Sequence, residues 1–220
     1  MAIYVHGDIH GNFAEVIDFR NKMRLTKEDI IILLGDVGIC WRKDKKDMQQ
    51  YIKAWEEYEN TPMLYFIDGN HENFDILLTL PDGVVSEHIV WLQRGTVKTF
   101  EGKKCLFIGG AESVDKFRRI EHLSWWEEET ISPLLPKLVH AGYYDYVFTH
   151  TCPLKVLQEN KYILTDLQVD QETLTHNSEK VLQEIEDKII YKHWFFGHYH
   201  KNVQLNSKFT CLYDRWEVLE

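Results

Sequence analysis

Three short apolar runs each end in glycine beside a carboxylate or amide, and this arrangement restricts the fold more than anything else in the chain. Met1-Ala2-Ile3-Tyr4-Val5 leads to Gly7-Asp8, Asp29-Ile30-Ile31-Ile32-Leu33-Leu34 to Gly35-Asp36, and Met63-Leu64-Tyr65-Phe66-Ile67 to Asp68-Gly69-Asn70. A strand covered on both faces reads as a continuous apolar run, whereas a strand with one wet face alternates. Between the runs, Phe13, Val16, Ile17, Phe19 and Met23 recur at helical spacing, and Met48, Tyr51, Ile52, Trp55 and Tyr58 line one side of the segment from Lys45 to Glu59. Both segments read as helices, and a shorter one is predicted from Phe74 to Leu80. Strand and helix in alternation predict parallel pairing with right-handed crossovers, which brings the C-terminal ends of the three strands to one sheet edge.

Beyond residue 88 the pattern shortens. Ile89 to Leu92, Thr96 to Phe100 and Lys104 to Ile108 read as antiparallel strands of a second sheet. A polar segment from Gly109 to Ser124 precedes a predicted helix ending near His140. Tyr143 to Thr149 reads as a strand ending in His150, and Asp166 to Ile190 as mainly helical. His193 to Phe196 forms a strand leading into Gly197-His198-Tyr199-His200, and the tail from Asn202 to Glu220 reads as a hairpin and final strand around Asn206-Ser207.

Composition narrows the class. A chain of 220 residues with 44% hydrophobic and 27% charged residues suits one globular domain, expected over residues 1–220. Its apolar runs are too short to cross a bilayer, and its start lacks a signal-peptide pattern, so a cytoplasmic location without membrane association is expected. A net charge of −10 disfavours dedicated binding of duplex nucleic acid. Cys40, Cys105, Cys152 and Cys211 form no Cys-x-x-Cys pair, which excludes a zinc ribbon and a thioredoxin-like motif and predicts reduced thiols. Oligomeric state has no signature here.

The chemistry begins at His6-Gly7-Asp8-Ile9-His10-Gly11-Asn12. Residues two apart at a strand end face the same side, so Asp8 and His10 could grip one cation, although an isolated junction of this kind more often only caps a helix. Further blocks down the chain change that balance: Gly35-Asp36, Gly69-Asn70-His71-Glu72, His150 and Gly197-His198-Tyr199-His200. In this order, and each at a strand end, they resemble the calcineurin-like metallophosphoesterases. The resemblance implies an α/β fold of two mixed β-sheets packed as a sandwich and flanked by helices. It also implies a hydrolase that cleaves phosphomonoesters or phosphodiesters with a water or hydroxide activated by two metals.

By the same resemblance, Asp8, His10, Asp36 and His200 hold one divalent ion, and Asp36, Asn70, His150 and His198 hold the other, with Asp36 as the bridge. Mixed oxygen and imidazole donors suit Mn, Fe, Zn or Co, with Mn or Fe favoured. Asp36 and His71 are the expected catalytic residues; His71 acts on the leaving group without binding metal. His6, His88, His122, His140, His176 and His193 match no block and are left out.

The first and third blocks look like the serine/threonine protein phosphatase branch, which makes phosphatase activity of that type an alternative. The second block departs from it: Gly38-Ile39-Cys40-Trp41 stands where that branch has Asp-Arg-Gly, and Asp68 precedes Gly69 where it has Arg. A non-catalytic binding module is the other alternative, disfavoured because every expected ligand position holds a residue able to bind metal. The partner is then a phosphorylated substrate of unknown identity. Candidate phosphate contacts are Arg42 and, in the polar segment from Ala111 to Trp126, Lys116, Arg118 and Arg119.

Overall fold

The computed structural model describes residues 1–164 and 175–219. Its strands form two mixed sheets. In the first, β1 (Ile3–His6), β2 (Ile30–Leu33), β3 (Met63–Phe66) and β4 (Ile89–Trp91) run parallel in that order. The second contains β5 (Thr96–Phe100), β6 (Lys103–Ile108), β7 (Tyr143–Thr149), β8 (Ile190–Phe196), β9 (Val203–Gln204) and β10 (Phe209–Cys211), in the order β5-β6-β7-β8-β10-β9. Strands β6, β7, β8 and β10 are parallel to one another, and β5 and β9 close the two edges antiparallel. The last strand, β11 (Glu217–Leu219), returns to the first sheet antiparallel to β1.

Alternation explains why the strand sequences are apolar throughout. Ile3, Val5, Ile30 and Ile32 face Phe107, Tyr146, Phe148 and Phe195 in a core between the sheets. Their neighbours Tyr4, Ile31 and Leu33 point the other way, into a second core with Phe13, Val16 and Trp55 from α1 (Phe13–Met23) and α2 (Lys46–Glu56) and with Phe74 and Leu77 from α3 (Phe74–Leu77). On the far side of the second sheet, Leu106, Ile108, Trp194 and Phe196 pack under α4 (Leu135–Leu138), α5 (Leu154–Glu159) and α6 (Asn177–Glu186). The layers are helix, sheet, sheet, helix, as the two-sided burial of parallel strands requires.

Three expectations need correction. Residues 89–91 do not join the second sheet; β4 extends the first, parallel to β3, with Trp91 opposite Phe66. The helix predicted after Ser124 and ending near His140 is only a 3-10 turn, Glu127–Glu129, and the four-residue α4. Pro133 and Pro136 interrupt that stretch, since proline removes a helical donor and clashes with the preceding turn. Of the helix expected over residues 166–190, the part up to residue 174 lies outside the described residues; α6 accounts for the middle, and Ile190 already belongs to β8.

Candidate metal centre

Parallel pairing in both sheets gathers the strand ends of β1, β2, β3, β7 and β8, and the residues immediately after them meet. Side-chain ligand atoms of Asp8, His10 and His200 lie within 4.8 Å of one another, and so do those of Asp36, His150 and His198. Asn70 Oδ1 stands 3.3 Å from His150 Nε2, completing the second group. All the predicted ligands are therefore brought together. His71 falls at the same place, since it forms a third such group with His10 and Asp36, so its ring reaches the centre as closely as a ligand would. None of the histidines left out of the sequence reading enters a group among the described residues.

The backbone is built to this purpose. His10, Asp36, His198 and His200 all have positive φ, between 45° and 68°. Each such non-glycine residue costs roughly 1–3 kcal/mol and persists where surrounding contacts impose it, most often at functional sites. Gly69 and Gly197 have a different reason to be glycine. A Cβ at Gly69 would collide with the Asp36 carboxylate and the His150 ring, and one at Gly197 with the Asp8 carboxylate. Each of these glycines makes room for an acid contributed by another strand end.

Hydrogen bonds orient the donors. The His150 Nδ1–H donates to the Leu34 carbonyl at 2.7 Å, which sets Nε2 3.2 Å from Asp36 Oδ1; burial works to lower this imidazole, but the Asp36 and Asp8 carboxylates outweigh it and raise its pKa to about 9. Asp36 accepts the His71 backbone N–H at 2.8 Å, and Asp8 accepts that of His198 at about 3 Å. Buried Glu72 accepts the Val37 N–H at 2.7 Å and so holds the loop that carries Asp36. The Nε2 atoms of His10 and His200 face each other at 2.9 Å.

Burial pushes the Asp8 carboxyl up to about 7 against the pull of His150, and, with Asp36 nearby, holds Glu72 well above the carboxylate range. Burial also works to raise Asp36, but His150, His71 and His10 outweigh it and hold it well below its ordinary value. His198 is forced down to about 3 by burial and by the neighbouring His150. Crowded, desolvated carboxylates that draw a proton onto His150 while burial keeps His198 neutral are a donor set short of positive charge, which is what a divalent cation supplies, so the residues fit the metals their chemistry suggests.

Of the four candidate phosphate contacts, only Arg119 reaches the centre. Its Nη2 lies 3.0 Å from His71 Nε2, and its Nη1 donates to the Asn70 carbonyl at 3.2 Å. Lys116 instead sits 4.0 Å over the Trp125 ring, and Arg118 sits over Phe117. Arg42 is exposed and bound to Asp44, although it lines a groove that also touches His10 and His71. Several supporting residues escaped the sequence reading. Arg94 clamps buried Asp68 at 2.6 and 2.9 Å, which gives that departure from the phosphatase pattern a structural role. Glu129 binds the Ser113 N–H and hydroxyl, and Ser113 accepts from Asn70 Nδ2 at 3.3 Å. Glu72 carried a signal in its block; Arg94 and Glu129 carried none.

A family model for calcineurin-like phosphoesterases matches residues 1–202. No curated protein matches the chain. Among solved structures the chain is similar to a protein serine/threonine phosphatase from Saccharomyces cerevisiae with similarity to human phosphatase PP5. The two share 11% identity over 97% of this chain and 67% of that one, with a TM-score of 0.35.

Proposed function

This chain belongs to the calcineurin-like phosphoesterase family, and we propose that it hydrolyses phosphomonoesters or phosphodiesters at a centre of two divalent metal ions. Asp8, His10, Asp36 and His200 would hold one ion, and Asp36, Asn70, His150 and His198 the other. The observation that carries this reading is the meeting, from separate strand ends, of Asp8, His10 and His200 within 4.8 Å and of Asp36, His150 and His198 within 4.8 Å. When bound, such ions polarise phosphoryl oxygens and bring the pKa of a water towards neutrality. Oxygen and imidazole donors without thiolate favour Mn or Fe, with Zn and Co also compatible.

The chain's own residues supply the rest. Asp36, anchored by the His71 N–H and 3.9 Å from His10 Nδ1, would be the carboxylate shared by the two ions. His150, pinned through Nδ1 to Leu34, points Nε2 at the centre, where binding an ion would displace its proton. His71 stands beside His10, with ring centroids 5.0 Å apart, where it can hold or deliver a proton at the leaving oxygen. Arg119, at the edge of His71, adds a fixed positive charge close to where phosphate charge develops.

The test is hydrolysis of matched aryl phosphate monoesters and diesters by metal-free protein reloaded with Mn, Fe, Zn or Co, with bound metal measured in parallel. Turnover that requires metal is the expected result. Two bound ions with no hydrolysis of either ester would replace this reading with that of a binding module.

A further inference from the structure

A groove of about 350 Å³ opens directly beside the centre, lined by His10, His71, Trp41, Arg42, Tyr51 and Asp47. We propose that it receives a planar aromatic ring of the substrate, carried on the leaving group of the phosphoester. This rests on the phosphoesterase reading, in which His71 faces the leaving oxygen.

The groove has the walls for a ring. Trp41 lies nearly parallel to His71, with centroids 6.2 Å apart and planes 30° apart, and buried Trp126 backs it edge-on at 5.8 Å. Its backbone carbonyl is tied to Asn73 Nδ2 at 2.9 Å, so the indole is held from two sides. Tyr51 stacks on Phe13 at 4.8 Å and donates its hydroxyl to the Gly11 carbonyl at 2.6 Å, which spends its polar end and leaves ring surface to the groove. Rigid aromatic walls of this kind favour stacked or edge-on aromatic partners.

Charge separates this groove from its larger neighbour. The cavity on the His198 side, about 450 Å³, is lined by Glu112, Glu179 and Glu129 against a single lysine, Lys116, an excess of acid that disfavours an anionic ester. In the smaller groove Arg42 and Asp47 balance, and Arg42 is already paired with Asp44. It therefore offers no site for a second phosphate but does offer one for a neutral ring. Hydrolysis breaks the P–O bond to the leaving group while a water oxygen bonds to phosphorus, and the departing oxygen takes a proton. A leaving group beside His71 extends into the Trp41 groove.

The test uses metal-loaded protein and two non-hydrolysable ligands of similar size, benzylphosphonate and cyclohexylmethylphosphonate, with affinities measured by calorimetry. Benzylphosphonate should bind about three- to tenfold more tightly. Trp41→Leu should abolish that preference and Trp41→Phe should keep most of it, with metal content as the control for folding. The methylenephosphonate analogues of adenosine 5′-monophosphate and ribose 5-phosphate, compared in the same way, then separate a nucleoside ring from one directly on the ester. Equal affinity for the two phosphonates in the unaltered protein, or a preference that survives Trp41→Leu, overturns the proposal. Ring-dependent binding with hydrolysis of neither benzyl phosphate nor a benzyl phosphodiester would overturn the phosphoesterase reading alone; hydrolysis without ring preference would overturn the groove alone.

Discussion

Arg119 Nη2 and His71 Nε2 lie 3.0 Å apart across 48 residues of sequence. A guanidinium can only donate, so the imidazole nitrogen is the acceptor, and the neutral His71 ring carries its proton on Nδ1. Burial, with Arg119 adding to it against the pull of Asp36, also lowers the His71 pKa. The same guanidinium binds Asp115 through Nε at 2.6 Å and so ties the loop from Asp115 to Ser124 to the centre.

Removing that tie should reach catalysis without reaching the metals. Arg119→Ala is expected to lower kcat about tenfold or more with metal content unchanged, because His71 loses the contact that sets its orientation and tautomer. Arg119→Lys should recover part of the loss. Lys116→Ala and Arg118→Ala, whose charges rest on Trp125 and Phe117, should stay within about twofold of the unaltered protein. Steady-state kinetics with parallel metal analysis separates these outcomes, and equal behaviour of all three variants would deny Arg119 its special position.

Asp36 and His10 should differ in kind. Asp36 touches His150, His10 and the His71 N–H, whereas His10 meets His200, His71 and Asp36 but, among the described residues, belongs to no group with His150 or His198. Asp36→Asn should therefore impair both metal sites and turnover together, while His10→Ala should leave the cluster of Asp36, Asn70, His150 and His198 able to retain its ion. Bound metal per chain is the deciding measurement. Two retained ions and normal turnover in Asp36→Asn would contradict the bridging assignment.

For His71 itself, replacement by Asn should cut kcat by about 10²-fold while metal content holds. Esters with poor alkyl leaving groups should suffer more than activated aryl esters, which need less protonation. A matching loss of metal would instead make His71 a ligand, as its proximity to His10 and Asp36 permits.

The parts legible in sequence were those with local signatures. β1, β2 and β3 declare themselves because both of their faces are covered, and the polar blocks that follow them are contiguous in sequence. Ile89-Val90-Trp91 was assigned to the wrong sheet because nothing local reports its partner; its position follows from pairing with β3 and from the Trp91 indole N–H donating to Asp68 at 3.0 Å. The final strand likewise gave no sign that it would pair with β1. At the site, the residues that converge could be read from their blocks, but the residues that hold them in place could not. Arg94 meets the backbone of residues 128–130, and Glu129 acts on Asn70 through Ser113, contacts created only when distant loops fold together.

Glu129 supplies the pH dependence. It is almost fully buried, and burial pushes its carboxyl up to about 7 despite donors from Ser113 and Trp125. The unfolded chain releases that proton near 4.5, so the folded state binds it more tightly. Stability from this group is therefore full below about pH 4.5, falls as pH rises, and is lost once pH passes about 7. The integrated effect is on the order of 3 kcal/mol. Glu129→Gln keeps the shape and an acceptor oxygen but cannot ionise. Its unfolding free energy, measured by urea titration with metal loading held constant, should fall less than that of the unaltered protein between pH 5 and about 8. Its margin should be greatest at the alkaline end. Parallel curves for the two proteins would mean that Glu129 is ionised throughout, stabilised by its Ser113 and Trp125 donors, and that its link to Asn70 carries a charge.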